Sequence, residues 1–342
     1  MANQIVDREM FTANQVCKVF QLSATKQTLF NAEERGEIPC ARRVQRGKTS
    51  YRVWDQGQLA EIGSRMGFLH RPSSPRVVSV FSLKGGTSKS TMSFQLARSM
   101  ALHGVRTLVI GLDTQQTVTQ TLGRISGQHW EDDVEGVFHI LKDGTDWITT
   151  VQKTDLSTLS YIPETVELAI LDIWLKSQKR KEYILKERLV DPILASGQYD
   201  LVIFDCHPAW SEMVTGALAA SHTLISPVGS DVNSFKAAKI FVELLSEYQD
   251  EMKHTFQNFL LIPTMVEPNK LSQTILAKYR LQYEELCSVG FIRRAIAVQE
   301  ANLLGKSLME VGYNAPVFQD FLAVLKEIDQ LLFDPADAIH QQ

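Results

Sequence analysis

The stretch Phe81–Thr91, FSLKGGTSKST, sets two lysines, two adjacent glycines and a run of hydroxyl side chains close together. Side chains of these types at this spacing can hold a chain of phosphates. Gly85 and Gly86 let the backbone come close to an anion, and the residues after them read as the start of a helix, whose N-terminus attracts negative charge. Lys89 would pair with the terminal phosphates, Thr87, Ser88 and Thr91 would complete the cradle, and the Ser90 hydroxyl would ligate Mg²⁺. The usual pattern for such a loop is G-x-x-x-x-G-K-[ST]. Here Leu83 and Ser88 stand where the two glycines belong, and an additional lysine, Lys84, opens the loop.

Two acidic residues extend this chemistry. In LVIFDCHP, Asp205 follows four apolar residues, the pattern of an aspartate that organises Mg²⁺ beside a phosphate loop. TLVIGLDTQQT ends its apolar run in Asp113, where a carboxylate can position or activate an attacking water. One aspartate at a strand end often does no more than cap a helix. Two of them together with KGGTSKST point to a single site. His207, just after Asp205, reads as a turn histidine.

These residues need strands and helices to position them. Strands are expected over Arg76–Leu83, Arg106–Asp113, Leu201–Asp205, Thr223–Val228 and Phe259–Pro263, because each is a short run rich in β-branched residues. Helical stretches fall between them at Ser90–His103, Trp210–Ser221, Ser234–Gln249 and Lys270–Cys287. Such alternation predicts an α/β fold, a doubly wound and mostly parallel sheet covered by helices on both faces. Ligands of such sheets collect at the carboxyl ends of the strands, where the phosphate loop and Asp113 both fall.

The charge distribution separates a front from a body. Residues 1–76 carry 12 Lys/Arg against 7 Asp/Glu, a net +5, which leaves −9 for the rest of a chain whose total is −4. A basic front on an acidic body suggests a local nucleic-acid contact. The segment HRPSSPR, residues 70–76, reads as a linker between a domain at 1–69 and one at 77–342. Within the front, Met10–Asp55 reads as two short helices and a hairpin. Thr12 or Asn14 would cap the first helix and Ser23 or Thr25 the second, with QLS as the turn. The hairpin alternates around a Gly-Lys turn and would turn Arg42, Arg43, Arg46, Lys48 and Arg52 toward phosphates. The four cysteines are widely spaced and form no C-x-x-C pair, which argues against a zinc site or a disulfide scaffold. No signal segment and no long apolar run is present, so a cytoplasmic protein is expected.

KGGTSKST resembles the deviant Walker A loop, K-G-G-x-x-K-[ST], of the ParA/MinD superfamily of ATPases. The resemblance runs from about Val77 to about Phe333. It includes LDTQQT, similar to the family's D-x-D-P-Q segment, VIFDCHP, similar to its Walker B segment, and FIRRAIAVQEANLLGKSLME, residues 291–310. It implies ATP and Mg²⁺ as ligands. It implies also that Lys84 is the signature lysine, which reaches across a dimer interface to the nucleotide of the partner subunit. A cation delivered from the other chain stabilises phosphate charge only once two subunits have closed. The match departs from the family at two positions: Gly111 replaces the first Asp of D-x-D-P-Q and Thr114 replaces its Pro, while Asp113 and Gln115 remain.

RGEIPCARR…YRVWD makes the front resemble a MerR-like winged helix-turn-helix. That module ahead of a ParA-type ATPase implies a partition ATPase that also represses its own operon. Further implications are a homodimer, nonspecific DNA binding in the ATP state at the nucleoid, and stimulation by a centromere-binding ParB-type adaptor. For the nonspecific DNA surface the resemblance points to Arg280, with Arg293, Arg294, Lys278 and Lys306 behind it. A ParA-like ATPase that positions a protein cargo, or a nucleotide-regulated repressor, are the alternatives. The last helix, Ala315–Phe333, has acidic polar positions that an anionic bilayer would repel, so it is expected to dock on its own domain and not on a membrane. Relatives that hold an iron–sulfur cluster need paired cysteines, which this chain lacks.

Overall fold

The computed structural model describes residues 9–22, 26–47, 49–126 and 134–332. Near the N-terminus, β1 (Met10–Thr12), β2 (Arg42–Arg46) and β3 (Thr49–Asp55) form an antiparallel sheet in the order β1-β3-β2. Helices at Ala13–Val19 and Lys26–Glu34 lie between β1 and β2, and a third, Gln56–Met66, follows β3. Thr12 caps the first, its backbone N–H donating to Gln15 Oε1 at 2.9 Å. The expected caps of the second helix, Ser23 and Thr25, lie outside the described residues.

The body is built on seven strands: β4 (Arg76–Val80), β5 (Thr107–Leu112), β6 (Gln152–Lys153), β7 (Leu159–Ile162), β8 (Leu201–Cys206), β9 (Thr223–Gly229) and β10 (Asn258–Thr264). Their order is β10-β9-β4-β8-β5-β7-β6. Every neighbouring pair is parallel except β6 with β7. The expected doubly wound, mostly parallel α/β fold is therefore present. β4, β5, β8, β9 and β10 are the five expected strands, and β6 and β7 are additional to them.

Each central strand is buried on both faces, and its residues alternate between two cores, as period-two geometry requires. Val78, Val109 and Ile203 face one core; Val77, Leu108 and Val202 face the other. The first core contains the helix Lys89–Leu102 and the last helix, Pro316–Leu332. That last helix buries Val317, Phe318, Phe321 and Leu325 against its own domain, as its charge pattern predicted.

The same core takes in the N-terminal sheet and helices: Phe11, Val16, Phe20, Leu59 and Ile62 pack into it. A Cβ added to Gly63 would lie 2.0 Å from the Leu102 carbonyl oxygen, so only glycine permits this approach of two helices. Polar contacts close the seam. Residues 70–76 are tied down as well: the His70 backbone N–H donates to Asp329 at 2.7 Å, and Arg71 pairs with Asp200 at 2.8 Å.

Candidate active site

The phosphate loop joins the end of β4 to the helix Lys89–Leu102. Gly86 and Ser88 both take left-handed backbone angles, with φ of 73° and 71°. Gly86 supplies that conformation without strain, whereas Ser88 is held there by the loop around it. Thr87 braces the turn, its hydroxyl against Ser82 Oγ at 2.8 Å and its carbonyl accepting from Thr264 at 3.0 Å. A side chain at Gly85 or Gly86 would meet nothing within 4 Å, so the inner face of the loop is open to a ligand.

Lys89 is 7% exposed, and its ammonium donates to the Lys84 carbonyl oxygen at 2.9 Å. Burial lowers its pKa, and the carboxylates of Asp205 and Asp113 oppose that effect. Asp205 sits at the end of β8, fully buried. Ser93 donates to its Oδ1 at 2.7 Å, while Oδ2 has no partner among the described residues. Burial pushes this carboxyl up to about 6, against the pull of the Ser90 and Ser93 hydroxyls. An unbonded, buried carboxylate oxygen beside Ser90 fits the donor set of a hard divalent cation. Asp113, half-buried at the end of β5, accepts the Gln115 N–H at 2.9 Å and faces the same cleft. That cleft has a volume of about 630 Å³ and runs from Gly85 and Lys89 past Asp113 to Asp172 and His207. His207 is a turn residue: its Nδ1 accepts from the Ala209 N–H, which leaves Nε2–H to donate to Ser211 at 2.8 Å.

Lys84 points elsewhere. Its ammonium is held by both Asp231 oxygens and by Ser234 Oγ, all at 2.9 Å, at a position one third exposed. Asp231 also caps the helix Val232–Met252. Its modest burial works against ionisation, but the hydrogen bonds from Ser234 and Lys84 prevail and hold the carboxyl down at about 2. The sequence reading missed Asp231. Its only local signal was an Asp between a strand and a helix, which reads as a cap. The reading also missed Glu164, a buried acid beside Gly111 at the end of β7.

The candidate DNA-contacting residues fall into two groups. Arg42 and Arg43 are exposed on β2, whereas Arg52 pairs with Glu33 at 3.1 Å and lies 4.0 Å over the Phe30 ring. Lys48 and the side chain of Arg46 lie outside the described residues. On the body, Arg280 and Lys278 are exposed, but Arg293 pairs with Asp320 and Arg294 with Glu267. Lys306 is turned inward to Glu9 at 2.9 Å.

Comparison with known proteins identifies the family and the fold. The family model described as AAA domain (AAA_31) matches residues 75–258. The sporulation initiation inhibitor protein Soj of Bacillus subtilis is 26% identical over 74% of this chain and 98% of its own length. The cell division protein PomZ of Myxococcus xanthus is 26% identical over 72% of this chain and 75% of its own. A solved structure titled Partition Protein superposes with a TM-score of 0.70 at 17% identity, and covers 94% of this chain and 92% of its own. That likeness is one of fold, and it takes in the N-terminal elements. With a phosphate loop, two strand-end aspartates and a family match across more than half its length, the chain belongs to the AAA_31 family and is a ParA/Soj-type ATPase.

Proposed function

We propose that this ATPase drives DNA partition through an ATP-sandwich homodimer. In the ATP state the dimer binds DNA without sequence preference. A centromere-binding ParB-type adaptor stimulates hydrolysis and releases it, and the N-terminal module acts as a winged helix-turn-helix that represses the protein's own operon. Lys89 would pair with the terminal phosphates, the backbone of Gly85–Thr91 would cradle them, and Asp113 would orient the attacking water. Ser90 and Asp205 would hold Mg²⁺, which when bound neutralises phosphate charge.

The observation that carries this reading is the position of Lys84. A lysine that served its own chain's nucleotide would lie in the cleft with Lys89. Lys84 instead rests on Asp231 at the surface, where a second subunit can receive it once the ion pair opens. An exposed pair of this kind contributes little stability, so little is given up when a phosphate takes its place.

Lys84→Ala should therefore bind ADP as the wild type does but fail to dimerise with ATP. An ATP-dependent dimer of this variant in light scattering would refute the cross-interface role.

A further inference from the structure

Gly111 leaves a space that a neighbouring strand fills. A Cβ placed on Gly111 would lie 2.2 Å from Glu164 Cγ, 2.4 Å from Cδ and 2.6 Å from Oε1. Real atoms do not approach so closely, so residue 111 and the Glu164 carboxyl compete for one volume. The strand register explains how they meet. β5 lies between β7 and β8, with Ile110 beside Ile162 and Gly111 beside Asp205. Glu164 follows β7 after Pro163, and its side chain lies over Gly111, next to the strand end that carries Asp205.

Glu164 is 2% exposed. Its Oε2 accepts the Thr119 backbone N–H at 3.1 Å, and its own N–H donates to the Thr119 hydroxyl at 2.6 Å. Thr119 lies in the first turn of the helix Thr117–Ser126, which continues directly from the Asp113 loop. Glu164 therefore clamps that loop to the sheet. The clamp uses only one carboxyl oxygen. Oε1 is buried with no partner among the described residues, as is Asp205 Oδ2 on the strand beyond Gly111. Leaving a buried oxygen unbonded is costly, and the Thr119 bond by itself needs no carboxyl, since a glutamine oxygen would accept it equally well. Burial, then the charges of Asp205 and Asp113, push the Glu164 carboxyl up to about 8, so these three acids share one electrostatic site.

We infer that Glu164 supplies, from the end of β7, the carboxyl group that this site lacks at position 111, and that it is a positioning residue for ATP hydrolysis. The Thr119 bond fixes the carboxyl over Gly111, and the unbonded Oε1 there, next to the strand end bearing Asp205, is the part that orders the neighbouring acids. The inference rests on the assignment of Asp113 to hydrolysis.

The test uses the full chain. Glu164→Gln preserves size and the acceptor for Thr119 but removes the carboxyl. Its kcat should fall roughly 10–100-fold, the range for residues that orient reactive groups, with KM for ATP unchanged. Exchanging the two positions, Gly111→Asp with Glu164→Ala, returns a carboxyl to the same space from β5 and should raise kcat above that of Glu164→Gln. A wild-type kcat in Glu164→Gln, or a folded exchange variant no more active than it, overturns the inference. If Glu164→Gln does not fold, the exchange variant decides: hydrolysis supports the inference, and a folded, inactive protein overturns it. Asp113→Ala measured alongside separates the two assignments. Slow Asp113→Ala with wild-type Glu164→Gln removes only the role of Glu164, whereas wild-type rates in both remove the hydrolytic role of Asp113 as well.

Discussion

Lys89 and Lys84 belong to one loop yet answer to different carboxylates. Lys89 is buried and faces Asp205 and Asp113 across the cleft; Lys84 turns outward to Asp231. The place of Lys89 in the cleft was legible in the sequence, because a loop of this kind is a local pattern and its strand and helix adjoin it. The resting partner of Lys84 was not, since Asp231 lies 147 residues away and its spacing to the loop follows no rule. Asp113 is intermediate. The apolar run before it placed it at a strand end, and the structure sets it in the same cleft as Lys89. Its carboxylate accepts only the Gln115 N–H among the described residues, which leaves its second oxygen for a water. Asp113→Ala should consequently bind ATP and dimerise but hydrolyse ~10²–10⁴-fold more slowly, the usual contribution of a group that moves a proton or orients a nucleophile. Steady-state phosphate release would measure this, and a near wild-type rate would make Asp113 a loop-capping residue only.

Among the elements, the helix Lys89–Leu102 links the nucleotide site to the N-terminal module. It starts at Lys89 and Ser90 and is buried almost along its whole length. Near its far end, fully buried Arg98 donates to Glu310 at 2.5 and 3.0 Å and to Asp155 at 2.8 and 2.9 Å. Gln56, from the helix after β3, bonds to both Asp155 and Lys306, so the network crosses the seam. Arg98→Met would leave buried Glu310 with only the more distant Lys306 ammonium, at 3.7 Å. Breaking such a pair from one side costs about 3–5 kcal/mol, whereas removing both charges costs much less. Urea denaturation should show that loss for Arg98→Met and a partial recovery in Arg98→Met with Glu310→Gln. Equal stabilities for the two variants would mean that the charges are not coupled. None of this was readable beforehand. Arg98 and Glu310 lie in helical stretches where a charged residue reads as solvent-facing, and only the tertiary fold buries them. The strand β7 escaped notice for a related reason. Its four residues, Leu159–Ile162, give too short a run to separate a strand from a loop, and with it went Glu164.

For the whole molecule, the question is how a chain with an acidic body could serve the two DNA-binding modes proposed above. The body carries −9, so the proposed affinity for DNA would have to come from a local patch doubled by dimerisation and not from net charge. The structure narrows that patch. Arg293, Arg294 and Lys306 already have carboxylate partners, while Arg280 has no ion pair among the described residues and gives one N–H to the Val289 carbonyl at 2.7 Å. On the front module, Arg52 is committed to Glu33, and Arg42 and Arg43 remain exposed on β2. The front was legible as a basic unit from its charge and turn residues, but its docking onto the helix Lys89–Leu102 was not, because that depends on the close packing at Gly63. With the front held rigidly, two separate DNA surfaces should be separable by mutation. Arg280→Glu should weaken ATP-dependent binding to random duplex and flatten its salt dependence by ~0.9 in log–log slope for each phosphate it ceases to neutralise, while ATP-dependent dimerisation and binding to the upstream region of its own gene persist. Arg43→Glu should do the reverse, impairing upstream binding and sparing the random-duplex mode. Both are read by titrating each duplex at several salt concentrations with no nucleotide, ADP or ATP. If either substitution removes both modes equally, the chain has a single DNA surface and the front module is not an independent reader.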